Sequence, residues 1–102
     1  MNMDLEYSSK KLEQILSDKR LTQKKYGLLA GRISDVLDEL TVANVLDDIP
    51  TCPPDRRHKM TNAKYTWSID LSKNYRMWLK SDGIDNPKLV TTVEIKEILD
   101  YH

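Results

Sequence analysis

Three prolines within five residues, Pro50, Pro53 and Pro54, divide this chain into two parts that follow different rules. Proline fixes its own φ and lacks an N–H, so no helix can run through such a cluster. Before the prolines, apolar residues recur about every 3.6 positions; after them, they alternate with polar ones. A helical part therefore precedes a stranded one, and the fold must join the two.

The helical part opens on a short strand, residues 3–7, in which Met3, Leu5 and Tyr7 alternate with Asp4 and Glu6. Ser8 and Ser9 can cap a helix whose apolar face is Leu12, Ile15 and Leu16. The spacing of Tyr26, Leu29, Ile33, Val36, Leu37 and Leu40 predicts one longer helix from Thr22 to about Leu40. Gly27 and Gly31 lie inside it, each costing about 1 kcal/mol relative to Ala. Their bare backbone would let another helix approach closely. Thr41 is placed to start a third, short helix with Val42, Val45, Leu46 and Ile49 on its buried side.

Beyond the prolines, residues 65–71 alternate cleanly, with Trp67, Ile69 and Leu71 on one face and Thr66, Ser68 and Asp70 on the other. A turn follows, with Asn74 suited to positive φ. Residues 75–80 return antiparallel, a loop spans 81–87, and residues 89–98 form the last strand, with Val93 and Ile95 inward. A short strand at 58–60 is also expected. Helices segregated from a meander of strands give an α+β class: a small antiparallel sheet with the N-terminal helices on one face. At 102 residues the chain fits one domain, 1–102.

Composition excludes several classes. With 39% hydrophobic and 31% charged residues the chain reads as a globular protein, not a disordered one. It lacks an apolar run of the roughly 18 residues a membrane helix needs. The N-terminus has no apolar h-region, so no signal peptide is expected. Cys52, the sole cysteine, reads as a bystander thiol, and the expected location is the cytoplasm. Two histidines and one cysteine, far apart in sequence, do not make a zinc site, and the expectation is no metal and no cofactor.

The net charge is zero, but its distribution is uneven. Residues 56–80 carry Arg56, Arg57, Lys59, Lys64, Lys73, Arg76 and Lys80 against Asp70 alone, a balance of +6, which leaves −6 for the rest. A basic segment suits phosphate and an acidic remainder suits a basic partner. Arg76, Trp78 and Lys80 share one face of their strand, offering charge for phosphate and a ring for stacking. Alternation alone leaves open whether that face or the Tyr75, Met77, Leu79 face is buried. Two histidines can serve as acid or base near neutrality: His102, at the end of the chain, and His58.

His58-Lys59-Met60, Trp67-Ser68-Ile69, Tyr75-Arg76, Glu94-Ile95 and Asp100-Tyr101-His102 occur in an order that resembles the HigB branch of the RelE/ParE toxin superfamily, over about residues 24–102. The resemblance implies a type II toxin: a metal-independent, ribosome-dependent mRNA endonuclease. It further implies a helix-turn-helix antitoxin of the HigA kind, joined to the toxin in a heterotetramer. By the same resemblance His102 is the main acid/base group, Tyr101 orients the RNA, and Arg76 and Lys59 complete the catalytic set. His58, Lys80, Trp78 and Arg57 would bind RNA. Two other classes remain: a ParE-like toxin that inhibits a DNA-replication enzyme without catalysis, and an inactive binding domain.

Overall fold

The structure, a computed structural model, describes residues 2–100. Its strands are β1 (Asp4–Tyr7), β2 (His58–Lys59), β3 (Thr66–Asp70), β4 (Tyr75–Ser81) and β5 (Thr92–Asp100), in one sheet of order β1-β5-β4-β3-β2. The helices are α1 (Lys10–Ser17), α2 (Lys19–Tyr26) and α3 (Ala30–Val42). The class is α+β, as expected, with one adjustment. β1 runs parallel to β5, so the sheet is mixed. The long path from β1 through three helices and three strands supplies the crossover that a parallel pair requires.

The helices cover one sheet face. Ile33, Val36 and Leu40 of α3 and Leu16 of α1 pack in a single core with Trp67, Ile69, Met77, Leu79, Val93 and Ile95. The register pairs Trp67 with Leu79 and Ile69 with Met77, and all four are buried. That settles β4: Met77 and Leu79 face the helices, while Arg76, Trp78 and Lys80 face away.

The expected long helix is two. Gly27 takes φ 56° and ends α2, and its N–H bonds back to the Gln23 carbonyl. Only glycine adopts that backbone without strain, so it stops the helix that apolar spacing alone would continue. Asp18 caps α2, accepting from the N–H groups of Arg20 and Leu21. No close helix approach occurs at the glycines: a Cβ at Gly27 or Gly31 would meet nothing within 4 Å. The expected third helix is only a 3-10 turn, Leu46–Asp48. Thr41 bonds to the Leu37 carbonyl within α3 instead of capping, and Val42 is exposed, although Leu46 and Ile49 are buried.

In the second half, the β3–β4 turn is built on Ser72, whose Oγ accepts from the N–H groups of Asn74 and Tyr75. Among the described residues other than glycine, positive φ occurs at Arg56 (46°) and Tyr65 (57°), not at Asn74. β5 starts at Thr92, later than expected, because Pro87–Leu89 forms a 3-10 turn capped by Asn86. β5 also carries a bulge: Leu79 pairs with Ile95 but Trp78 pairs with Glu97, leaving Lys96 as the extra residue. Past the bulge the alternation changes phase, so Ile98 opposes Met77 on the core side and Glu97 joins the open face.

Candidate nucleic-acid interface

The sheet face turned away from the helices is a grid whose rows follow the strand register. One row runs His58, Ser68, Trp78, Glu97 across β2, β3, β4 and β5. The next pairs Asp70 with Arg76 and Arg76 with Leu99, and the loop before β2 adds Arg56 beside Asp70. The Asp70 carboxylate lies 2.9 Å from Arg76 Nε and 3.7 Å from Arg56 Nε. One carboxylate thus holds two guanidinium groups together on the open face. Arg76 is further oriented by its Nη1, which donates to the carbonyls of Ser72 (2.7 Å) and Lys73 (3.2 Å).

His58 is exposed, with Nδ1 3.1 Å from the Arg56 carbonyl, so the ring is tied to the segment that carries Arg56. Trp78 is half-buried beside Ser68. Ser68 Oγ and Trp78 Nε1 are buried without a hydrogen-bond partner among the described residues. Both segments that carry strained backbone, Arg56 and Tyr65, bracket β2. Strain of this kind in residues other than glycine costs of order 1–3 kcal/mol and tends to gather at functional sites.

Two of the residues assigned to this site from sequence, Arg57 and Lys59, lie elsewhere, and a third, Lys80, keeps the face but stands apart from the arginines. Arg57 is 7% exposed and turned inward, its Nε donating to the Ile49 carbonyl (2.8 Å) and Nη2 lying 3.2 Å from Asp47. It fastens the proline loop and cannot line the open face. Lys59 follows His58 in the strand and so points to the opposite side; it pairs with Asp85 at 2.6 Å. Lys80 stays on the open face, but in a recess shared with Glu6, Asp82 and Glu94, where the local charge is negative. His102 and Tyr101 lie outside the described residues. Sequence reading missed Arg56 as a site residue, together with Asp70, Ser68 and Glu97. The signal for Glu97 was available: two successive charged residues between Ile95 and Ile98 break the alternation.

A carboxylate network behind the sheet holds the Arg56–His58 segment. Asp55 is buried; its carboxylate accepts from Arg32 Nη2 at 2.5 Å, and its carbonyl accepts from the Asp70 N–H at 2.7 Å. Arg32 Nη2 also donates to the Asp70 carbonyl. Burial, then the hydrogen bond to Asp55 and its charge, push the Glu39 carboxyl up to about 7, with Arg32 opposing. Burial would raise Asp55 too, but hydrogen bonds from Glu39 and Arg32 outweigh it and hold Asp55 below its ordinary value. Glu39 is therefore the proton carrier of the pair.

The sign of the pH effect follows. A raised folded-state pKa gives stability that is full below the unfolded value and lost as pH rises through about 7. The depressed Asp55 contributes stability that is lost as pH falls through its folded value. Glu39 is 38% exposed, so its share is discounted for solvent screening to about 1 kcal/mol. Glu39→Gln keeps a donor for Asp55 at every pH. Its stability relative to wild type, measured by urea unfolding, is expected to rise by about 1 kcal/mol between pH 5 and pH 8. An equal difference at both pH values would mean the pair does not share a proton.

A chain of the Escherichia coli DinJ–YafQ complex superposes with a TM-score of 0.60, covering 97% of this chain and 93% of that one at 14% identity. A chain of the Staphylococcus aureus YoeB dimer gives a TM-score of 0.58, covering 100% of this chain and 99% of that one at 14% identity. The fold is theirs. No family model matches the sequence, and no curated protein matches it. Among the described residues no helix is long and apolar enough to cross a membrane, and no three His, Cys, Asp or Glu side chains are grouped to hold a metal ion.

Proposed function

We propose that this chain is the toxin of a type II toxin–antitoxin pair, of the HigB kind, and cuts mRNA on the ribosome. The observation that carries the reading is the cationic clamp on the open sheet face. Arg56 and Arg76 flank Asp70, one row from His58 and Trp78. Guanidinium groups bind phosphate oxygens in pairs, and an indole offers a stacking surface for a base.

In the proposed reaction the ribose 2′-oxygen attacks the adjacent phosphorus and the bond to the 5′-oxygen breaks. A base accepts the 2′-OH proton and an acid protonates the leaving oxygen. His102 is the main acid/base group, two positions past Asp100, which pairs with Tyr75 at the Arg76 end of β4. Tyr101 orients the RNA, and Arg76 stabilises the charge that develops on the phosphoryl oxygens. His58 and Trp78 hold the neighbouring nucleotide. Arg57 is turned inward and takes no part, Lys80 stands on the same face in an acidic recess apart from the arginines, and Lys59 acts from the sheet edge.

The proposed partner is a helix-turn-helix antitoxin of the HigA kind in a heterotetramer. A chain of this fold occurs in the DinJ–YafQ complex, and the acidic balance outside residues 56–80 would suit a basic partner segment. The test is the chemistry of the cut ends. Controlled expression of the wild type, followed by primer extension, is expected to reveal discrete cuts inside translated messages. The upstream fragments should end in 2′,3′-cyclic phosphate, and a 2′-deoxy substitution at the cut site should block cleavage. Growth arrest without cuts would sink this reading and favour a non-catalytic inhibitor of DNA replication.

A further inference from the structure

Beside the open face there is a second concavity, at the β2 end of the sheet. It is a cleft of about 720 Å³ lined by residues 59–65 and Asp85. Its polar side chains include Lys59, Lys64 and Asn62, and its one aromatic is Tyr65. Tyr65 has φ 57°, a conformation in which a bulky side chain is a clear outlier. The surroundings over-determine it. The Tyr65 carbonyl accepts from the Ser81 N–H (2.8 Å), and the Thr66 hydroxyl bonds to the Lys64 carbonyl. The same segment is pinned to the end of β2 by the Met60 N–H, which donates to the Thr66 carbonyl. The fold therefore holds an aromatic ring at the cleft in a backbone state that glycine would fill without strain.

The charged groups at the cleft are arranged for exchange. Lys59 and Asp85 pair at 2.6 Å but are 46% and 65% exposed, so the pair contributes little and a phosphate can replace the carboxylate. Lys64 is exposed beside it. A ring, two ammonium groups and the amide of Asn62 are what a single nucleotide needs: a stacking surface, phosphate contacts and a base-edge partner. The Tyr65 ring is half-buried, packing against the core while it borders the cleft, so the strained backbone keeps one side chain in both places.

We infer that this cleft is a subsite for one nucleotide of single-stranded RNA, with its base stacked on Tyr65 and its phosphate on Lys59 and Lys64. The inference rests on the RNA-cutting reading and adds a place for a nucleotide outside the reacting one. It also gives Lys59 a role compatible with its pointing away from His58: it holds substrate and does not take part in the chemistry.

The probe is a 2′-O-methyl RNA decamer, which cannot be cut through its 2′-oxygen, with 2-aminopurine placed at each position in turn. The full-length wild type is expected to quench one position. Tyr65→Phe should keep the quench and bind within about twofold, whereas Tyr65→Leu should lose the quench and bind about 5- to 150-fold more weakly. Lys64→Ala should lower the slope of log affinity against log salt by about 0.7. Thermal unfolding accompanies each variant. If Tyr65→Leu fails to fold, the Tyr65→Phe quench and the Lys64→Ala salt slope decide, and an unchanged slope overturns the subsite. Retained quench and affinity in a folded Tyr65→Leu overturns it as well. A wild type that cuts mRNA yet quenches no position defeats the subsite alone; one that does neither also defeats the RNA reading beneath it.

Discussion

His102→Ala is expected to accumulate to wild-type levels, to bind its antitoxin, and to cut mRNA about 10²- to 10⁴-fold more slowly. That range is the usual contribution of one positioned acid or base, and the proposed mechanism gives His102 that duty in both proton transfers. The clamp of Arg56, Asp70 and Arg76 remains in the variant, so phosphate binding and any specificity read from the cut positions should survive. Residual cuts at unchanged sites are therefore the expected signature, seen by primer extension at matched protein levels. His58→Ala should act more mildly, about tenfold, because it lines the site without carrying the proton. Full activity in His102→Ala would move the acid/base role to another group, with His58 and Glu97 on the open face as the next to test.

Asp55→Ala is expected to destabilise the fold by about 3 kcal/mol, read as a drop in urea midpoint. Removing one member of a buried ion pair costs about 3–5 kcal/mol because the other charge is left without compensation. The lower end applies here since Glu39 lies 3.9 Å from Arg32 and can ionise in place of Asp55. For a domain with about 5–15 kcal/mol in total this is a large fraction. The loss should also reach the Arg56–Asp70–Arg76 cluster, because the Asp55 carboxylate holds Arg32, whose Nη2 donates to the Asp70 carbonyl. Asp55→Asn should be milder, as it keeps an acceptor for Arg32. If Asp55→Ala unfolds at the wild-type midpoint, the network is decorative and the Arg56–His58 segment is held by other contacts.

Much of the architecture was legible in the sequence because period is a strong signal. The stripe through Ile33, Val36 and Leu40 and the alternation through Trp67 and Ile69 both mark buried faces. The outward face of β4 could not be chosen from its own residues: Arg76-Trp78-Lys80 and Tyr75-Met77-Leu79 alternate equally well, and only pairing with β3 decides. Long-range contacts were beyond reach for the same reason. Nothing near Arg57 in sequence announces that it will turn inward toward Ile49 and Asp47. Lys80 reads as free cationic surface until Glu6 and Glu94 arrive on neighbouring strands. Asp70, counted as a lone acid in a basic stretch, is what draws two arginines together. Lys59 is different: adjacent strand residues point opposite ways, so its separation from His58 could have been read directly.

The bulge at Lys96 has a consequence for motion. β1 pairs only with Thr92–Ile95, whereas Glu97–Asp100 have β4 as their ladder partner. Among the described residues β5 is thus two strands in series, one with ladder partners on both sides and one with a ladder partner on one side, with the bulge as the joint. Local opening should respect that joint: amides beyond Lys96 can exchange with solvent by sub-global unzipping, while those before it wait for global unfolding. Those four residues can peel from β4 while the core beneath them stays shut.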